Sequence, residues 1–168
     1  TALKSSPTPI PQGQAPQGTY VEVFHDFSSP FSYLGCQKVE ALVTERGAQV
    51  RWRPMLLGAL FKNIGAPNVP LFEMSPPKQR YMSKDLQDWA RYWSVPFSFP
   101  KDFPLRTVTA LRLALVQPQL TSVLYQAAWQ KGLNIGNIHV LKGLLIELDL
   151  DAQQLLDQTK HPEIKEKL

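Results

Sequence analysis

The sequence predicts an α/β fold. In this fold one strand-helix-strand unit precedes a long all-helical region. Residues 19–56 read as a β-branched and aromatic run, a helical pattern and a second alternating run, whereas residues 57–168 keep mainly a helical period. A βαβ unit places its two strands parallel in one sheet with a right-handed crossover. Residues 1–18, rich in Pro, Gln, Gly and Ser, are predicted to form a disordered tail ahead of these two regions.

The first strand is predicted by a run of apolar β-formers. Its members are Tyr20, Val21, Val23, Phe24 and Phe27. Ser29 and Pro30 then form a helix-start signal, with a hydroxyl at the N-cap and proline at the first helical position. Gly47 supplies a left-handed stop for that helix.

The second strand is predicted over residues 49–56, where Val50 and Trp52 share one face. Helical segments follow. They are predicted at LLGALFKNIG, after Ser75-Pro76-Pro77, at 107–117, at 121–132, and at HVLKGLLIEL and DAQQLLDQ. The proline- and phenylalanine-rich linker 95–107 is predicted to run extended over apolar surface.

Composition excludes several classes of function. The 168 residues, 43% of them hydrophobic, suit one globular domain, and the net charge of +4 gives no ground for nucleic-acid binding. The single cysteine, Cys36, excludes an intramolecular disulfide and a multi-thiolate zinc site. The three histidines show no metal-ligand spacing, so no metal is expected. Apolar runs fall short of the ~18 residues of a membrane span, so we expect a soluble, cytoplasmic protein.

The corner between the first strand and the first helix is the place where chemistry is expected. Ligands collect at the carboxyl ends of parallel strands, where helix N-termini attract anions and thiolates. Ser29 and Ser32 stand here with the spacing that a redox Cys-x-x-Cys pair would have, and serine cannot form a disulfide. Ser29 could therefore donate a hydrogen bond to the thiolate of a cofactor. A plain N-cap role explains a serine at this position equally well.

Four motifs carry a resemblance to a known family. They are DFSSPFSYLG, RPMLLGALFKNIG, PPKQRYMSKDLQDWARYWSVPFSFP and FPLRTVTALRLAL. Together, over roughly residues 19–168, the chain resembles the 2-hydroxychromene-2-carboxylate isomerase family, which is related to kappa-class glutathione transferases. The resemblance implies a thioredoxin-like fold of the DsbA type. Residues 19–56 would be its βαβ part, and 57–168 its helical insertion and the start of the return to the thioredoxin-like part.

The same resemblance implies glutathione as the cofactor and an isomerase reaction on an aromatic small molecule. Ser29 would hydrogen-bond the glutathione sulfur as the catalytic residue, with Pro30 and Phe31 beside it. Asn68 and Lys78 match the asparagine and lysine that hold the cofactor in the family. The family's usual Gly-Asn pair reads Gly-Ala at 65–66 here, so Asn68 is displaced in sequence from the family position. Lys78 could equally well be a solvated surface lysine with no role in binding.

Other side chains are assigned more loosely. Trp52, Arg53 and Phe61 could line the substrate side of the pocket, although core packing explains Trp52 and Phe61 as well. Cys36 is interpreted as a small buried hydrophobe and not as a reactive thiol. Related proteins are commonly dimers, so a homodimer is also expected.

A closing β-hairpin, introduced by a cis-proline, and a final helix have no counterpart in the sequence, which ends at HPEIKEKL. We therefore expect the natural chain to continue beyond Leu168, because a two-stranded sheet is marginal alone. Three functions stay open: a glutathione-dependent isomerase, a kappa-like glutathione transferase, and a non-catalytic thioredoxin-fold binding module.

Overall fold

The computed structural model of the chain describes residues 13–168. Most of the predicted tail, residues 1–12, lies outside the described residues. Ala15, within the remainder of the tail, donates its N–H to the Arg46 carbonyl at 2.6 Å. Within these residues the chain forms two strands, eight α-helices and one 3-10 helix. In chain order they are β1 (Tyr20–His25), α1 (Pro30–Glu45), β2 (Gln49–Pro54), α2 (Leu57–Asn63), the 3-10 helix (Pro70–Glu73), α3 (Pro76–Tyr92), α4 (Val108–Val116), α5 (Leu120–Trp129), α6 (Ile138–Glu147), α7 (Ala152–Gln158) and α8 (Pro162–Glu166).

The sheet of the described residues consists of β1 and β2, which pair in parallel. Tyr20 pairs with Gln49 at one end of the register and His25 with Pro54 at the other. Helix α1 connects the two strands, and from Leu57 onward every regular element of the described residues is helical. The α/β fold class predicted from sequence is therefore confirmed.

Helix α1 begins where the capping signal predicts. Ser29 is the N-cap, and its Oγ accepts a hydrogen bond from the Ser32 N–H at 3.1 Å. Pro30 occupies the first turn. Gly47 follows the helix with φ of +73°, a backbone conformation that L side chains rarely adopt.

Both strands end earlier than predicted, at His25 and at Pro54, and Asp26 binds the backbone just beyond both ends. The Asp26 carboxylate accepts the N–H of Ser28 at 2.9 Å and that of Leu57 at 2.8 Å. One carboxylate thus joins the segment after β1 to the segment after β2, and such side-chain bonds to backbone N–H groups are typical of turns.

The core lies between α1 and the helical region, around the fully buried Trp129. Three phenylalanines of the linker pack on its ring, with centroid separations of 5.9 Å for Phe97, 5.4 Å for Phe99 and 6.3 Å for Phe103. The linker thus runs over apolar surface, as its composition predicts. The indole Nε1–H of Trp129 also donates to the Phe27 carbonyl at 2.8 Å, which attaches α5 to the segment after β1.

No helix within residues 13–168 has both the length and the apolar character needed to cross a membrane.

Candidate functional site

The N-terminus of α1 lies at the carboxyl end of β1, and a tight turn presents Ser29 there. The Ser29 N–H donates to the Asp26 carbonyl at 3.0 Å, which closes the turn. The side chain of Ser29 is partly exposed. Its hydroxyl oxygen accepts from the Ser32 N–H, so its own hydrogen stays available for a further acceptor.

Ser29 opens into a cavity of about 210 Å³, which we call the helix-start pocket. Its walls come from the start of α1, from α2, from the 3-10 segment, from α3 and from the linker. The lining residues are Ser28, Ser29, Pro30, Phe31, Leu57, Phe61, Asn68, Val69, Pro70, Leu71, Met74, Met82, Ser83, Leu86, Phe99, Phe103 and Pro104. No charged residue is among them, and the wall is dominated by aromatic and aliphatic side chains. A flat apolar ring suits such a wall.

The structure thus brings five of the predicted site residues to one pocket. They are Ser29, Pro30, Phe31, Phe61 and Asn68. From the sequence, the corner before the first helix pointed to Ser29, and the family resemblance gave Ser29 its expected role and indicated the others. Their roles toward a ligand stay predictions.

A second cavity, of about 510 Å³, adjoins the first, and we call it the polar cleft. The two share six lining residues, namely Ser28, Leu57, Phe61, Asn68, Val69 and Pro104. The polar cleft adds residues that the helix-start pocket lacks, among them Asp26, Arg106 and Thr107, the N-cap of α4. A ligand that fills one compartment can therefore extend into the other.

Asp26 organises the wall between the strands and the helical region. It is 2% exposed, and its Oδ1 accepts from the Thr107 hydroxyl at 2.7 Å as well as from the turn. With the bond from Leu57, the carboxylate joins the turn before α1, the start of α2 and the start of α4. The sequence shows an aspartate at a turn, which signals a local backbone bond. The sequence does not show that Thr107, at the start of α4, also binds this carboxylate.

The other three predicted residues lie elsewhere. Trp52 lines a third cavity of about 740 Å³ between α1 and α5, and its ring contacts that of His25 edge-on, with centroids 5.6 Å apart. Arg53 is exposed, and its Nε–H donates to a Glu22 carboxylate oxygen at 2.6 Å. Lys78 is exposed on the first turn of α3, outside the lining of either compartment.

Titratable side chains from β1, α5 and α1 lie close together: His25 and Tyr125 are buried, and Cys36 is half-buried. The His25 Nδ1 and the Tyr125 hydroxyl are 3.1 Å apart, and burial lowers the pKa of His25 to about 4 although Asp26 opposes the shift. Burial also raises the pKa of the Cys36 thiol to about 11, against a hydrogen bond with Tyr125. At neutral pH this thiol is protonated and poorly nucleophilic. Cys36 is half-buried against the core and lines the third cavity, so it is less enclosed than the buried hydrophobe predicted from sequence.

Among residues 13–168, no group of three or more His, Cys, Asp or Glu side chains is arranged to hold a metal ion. The two compartments combine a helix N-terminus and its serine hydroxyl with an asparagine, an arginine and an apolar wall.

Comparison with known proteins places these features in context. The model of a family described as the DSBA-like thioredoxin domain matches residues 20–168. A 2-hydroxychromene-2-carboxylate isomerase from Sphingobium xenophagum is 29% identical over 147 residues, which cover 84% of this chain and 74% of that protein. Glutathione s-transferase kappa 2 from Caenorhabditis elegans is 31% identical over 104 residues, covering 62% of this chain. The chain spans 44% of that transferase's length.

A solved structure of 2-hydroxychromene-2-carboxylate isomerase superposes with a TM-score of 0.74 at 22% sequence identity. The match covers 89% of this chain and 75% of that one. The two chains therefore share their fold.

Proposed function

Since this chain belongs to the DSBA-like thioredoxin domain family, we propose that it is a glutathione-dependent cis-trans isomerase of the 2-hydroxychromene-2-carboxylate isomerase type. Its curated relatives include isomerases of that name and kappa-class glutathione transferases, which supports membership of a glutathione-related group of isomerases and transferases. The observation that carries the proposal is the position of Ser29. It caps α1 and opens directly into an uncharged pocket.

The site fits a thiolate for two reasons. A helix N-terminus carries partial positive charge from its unpaired N–H groups and lowers the pKa of a nearby thiol below its usual ~8.5. The Ser29 hydroxyl keeps its hydrogen for an outside acceptor, because its oxygen already accepts from Ser32. Both features stabilise the anionic form of a bound sulfur. The protein's own thiol, Cys36, takes no part in the proposed reaction, because its raised pKa keeps it protonated.

Glutathione, when bound, supplies a nucleophilic thiolate that adds reversibly to a conjugated double bond and thereby allows rotation about it. The chain's own residues bind and orient the reactants. Ser29 holds the sulfur, and Pro30 and Phe31 shape the wall beside it. Phe61, Phe99 and Phe103 provide apolar surface for an aromatic substrate and exclude water from it.

Asn68 is proposed as a further cofactor ligand because it lines both compartments. Lys78, Trp52 and Arg53 lie away from the helix-start pocket, and their assignments stay predictions. A homodimer and a cytoplasmic location likewise stay predictions.

Calorimetric titration with glutathione tests the proposal. The Ser29→Ala variant should bind about tenfold more weakly or worse, because a hydrogen bond to a charged group is worth about 1.5–3 kcal/mol. This substitution also removes a helix cap, so Asp151→Ala is a matched control. Asp151 caps α7, its Oδ1 accepting from the Gln154 N–H at 2.9 Å, and it lines neither compartment.

Asp151→Ala should lose a similar stability and keep its affinity for glutathione. Equal affinities of wild type and Ser29→Ala would contradict the role of Ser29. A wild-type chain that binds no glutathione would contradict both enzyme functions and favour a non-catalytic binding module.

The relatives named as kappa-class transferases favour a second candidate, conjugation of glutathione to an electrophile. The products separate the two. Isomerisation leaves the mass of 2-hydroxychromene-2-carboxylate unchanged, whereas conjugation adds the mass of glutathione to the product.

A further inference from the structure

We propose that Arg106 is a carboxylate-binding residue of the polar cleft, an inference that deepens the proposed function and rests on it. Arg106 is exposed and lines this cleft just before the first turn of α4. No ion pair or side-chain hydrogen bond joins it to another residue of the part of the chain that the structure describes. Its guanidinium is a planar set of donors whose geometry matches that of a carboxylate.

The charge of Arg106 has no counterpart in either compartment. Asp26 is the other charged residue that lines the polar cleft, but it is 2% exposed and its carboxylate already accepts three hydrogen bonds. The helix-start pocket adds no charged lining residue. Arg106 is therefore the one exposed charged residue among those that line the two adjoining compartments, and its positive charge favours an anionic ligand.

The backbone that carries Arg106 is held on both sides. Its neighbour Thr107 is 2% exposed and bonded to Asp26. A Cβ on Gly136 would lie 2.8 Å from the Arg106 carbonyl and 3.2 Å from the Arg106 Cβ, so this segment passes in close contact with the chain before α6. The backbone at Arg106 is thus fixed, so ligand binding has to order only the side chain and not the segment that carries it.

The connected compartments suggest how a ligand would reach this residue. Phe61 and Asn68 line both cavities, so a molecule with its sulfur or its ring near Ser29 can extend past them into the polar cleft. Three carboxylates are available in the proposed reaction: the glycine carboxylate of glutathione, its γ-glutamyl carboxylate, and the carboxylate of the aromatic acid. The shared chemistry is a carboxylate, and the probes below distinguish its source.

Binding of four probes is measured calorimetrically on wild type, Arg106→Gln, Arg106→Lys and Arg80→Gln. The probes are glutathione, glutathione amidated at its glycine carboxylate, naphthalene-2-carboxylate and naphthalene-2-carboxamide. Arg80 lies on α3, is exposed and lines neither compartment, so Arg80→Gln removes the same charge away from the site.

If the glycine carboxylate of glutathione is the group bound, Arg106→Gln should weaken glutathione binding about tenfold and leave the amidated form unchanged. If the bound carboxylate is that of the aromatic acid, Arg106→Gln should weaken binding of naphthalene-2-carboxylate and leave binding of naphthalene-2-carboxamide unchanged. Arg106→Lys should recover part of the loss, and Arg80→Gln should behave as wild type.

Equal affinities of wild type and Arg106→Gln for both carboxylate probes would overturn the proposal, as would binding of neither probe to wild type. Binding of the naphthoate in an Arg106-dependent way, without any binding of glutathione, would refute the cofactor and retain the carboxylate site. The two failures are therefore distinguishable.

Discussion

The Thr107 hydroxyl donates a hydrogen bond of 2.7 Å to the Asp26 carboxylate and so joins the turn after β1 to the start of α4. The two residues are 81 positions apart in the chain. Because the same carboxylate also binds the backbone at Ser28 and Leu57, three segments that line the polar cleft depend on one side chain.

Replacing Asp26 should therefore weaken the fold. An Asp26→Asn variant keeps the shape but turns an NH2 group toward at least one of three donors. We expect the free energy of unfolding to fall by about 1–3 kcal/mol, the usual cost of leaving a buried polar group unpaired. Urea denaturation measures it, and Asp102→Asn, at an exposed aspartate that accepts from Asn134, is the control. Equal losses in the two variants would contradict the role of Asp26.

Gly58 should matter for binding and not for stability. A Cβ at this position would lie 2.8 Å from the Asn68 Oδ1, the far end of a flexible side chain that can move away. Gly58→Ala in α2 should hold or raise the melting temperature, since alanine favours helix over glycine by about 0.5–1 kcal/mol. It should nevertheless weaken glutathione binding, because the Asn68 amide is displaced.

Gly143→Ala in α6 is the matched control for Gly58→Ala, because a Cβ there meets nothing within 4 Å. In an Asn68→Ala background, Gly58→Ala should have no further effect on binding. Additive losses would show that Gly58 acts by another route.

His25 should make stability depend on pH. Burial lowers its pKa from 6.5 to about 4 in the folded chain, so between these values the unfolded chain binds more protons. Stability is therefore full above pH 6.5 and falls as the pH drops toward 4, with a slope of at most about 1.4 kcal/mol per pH unit from this group. Denaturation at pH 7, 6 and 5 measures that slope.

A His25→Gln variant should lose the pH-dependent part of its stability between pH 5 and 6.5, whatever its stability at pH 7. His139 is exposed, and His139→Gln should keep the wild-type slope. An unchanged slope in His25→Gln would refute this assignment.

The Cys36 thiol should resist alkylation in the folded chain. With a pKa of about 11, raised by burial, it is protonated at pH 7, and the thiolate is the reactive form. Iodoacetamide at pH 7 should modify the native protein far more slowly than the protein in concentrated urea, as followed by mass spectrometry. Rapid modification of the native chain would show an accessible thiolate and reopen Cys36 as a participant in the chemistry.

The sequence by itself determined the features that depend on neighbouring residues. Ser29 followed by Pro30 predicts the start of α1 because capping and proline geometry act within one helical turn. Alternation and helical period similarly predict the two strands and the helical region, and the quoted motifs predicted the family that the comparisons show.

Only the tertiary structure decided which of these residues meet. Period-two alternation places Val50 and Trp52 on one face, but it does not say that this face borders the cavity between α1 and α5. Nor could a pattern connect Asp26 with Thr107, or bring Arg106 to the cleft beside Asn68. These contacts arise when helices from distant parts of the chain pack against the strand ends. Their partners are chosen by burial of the whole apolar surface, which no local window contains.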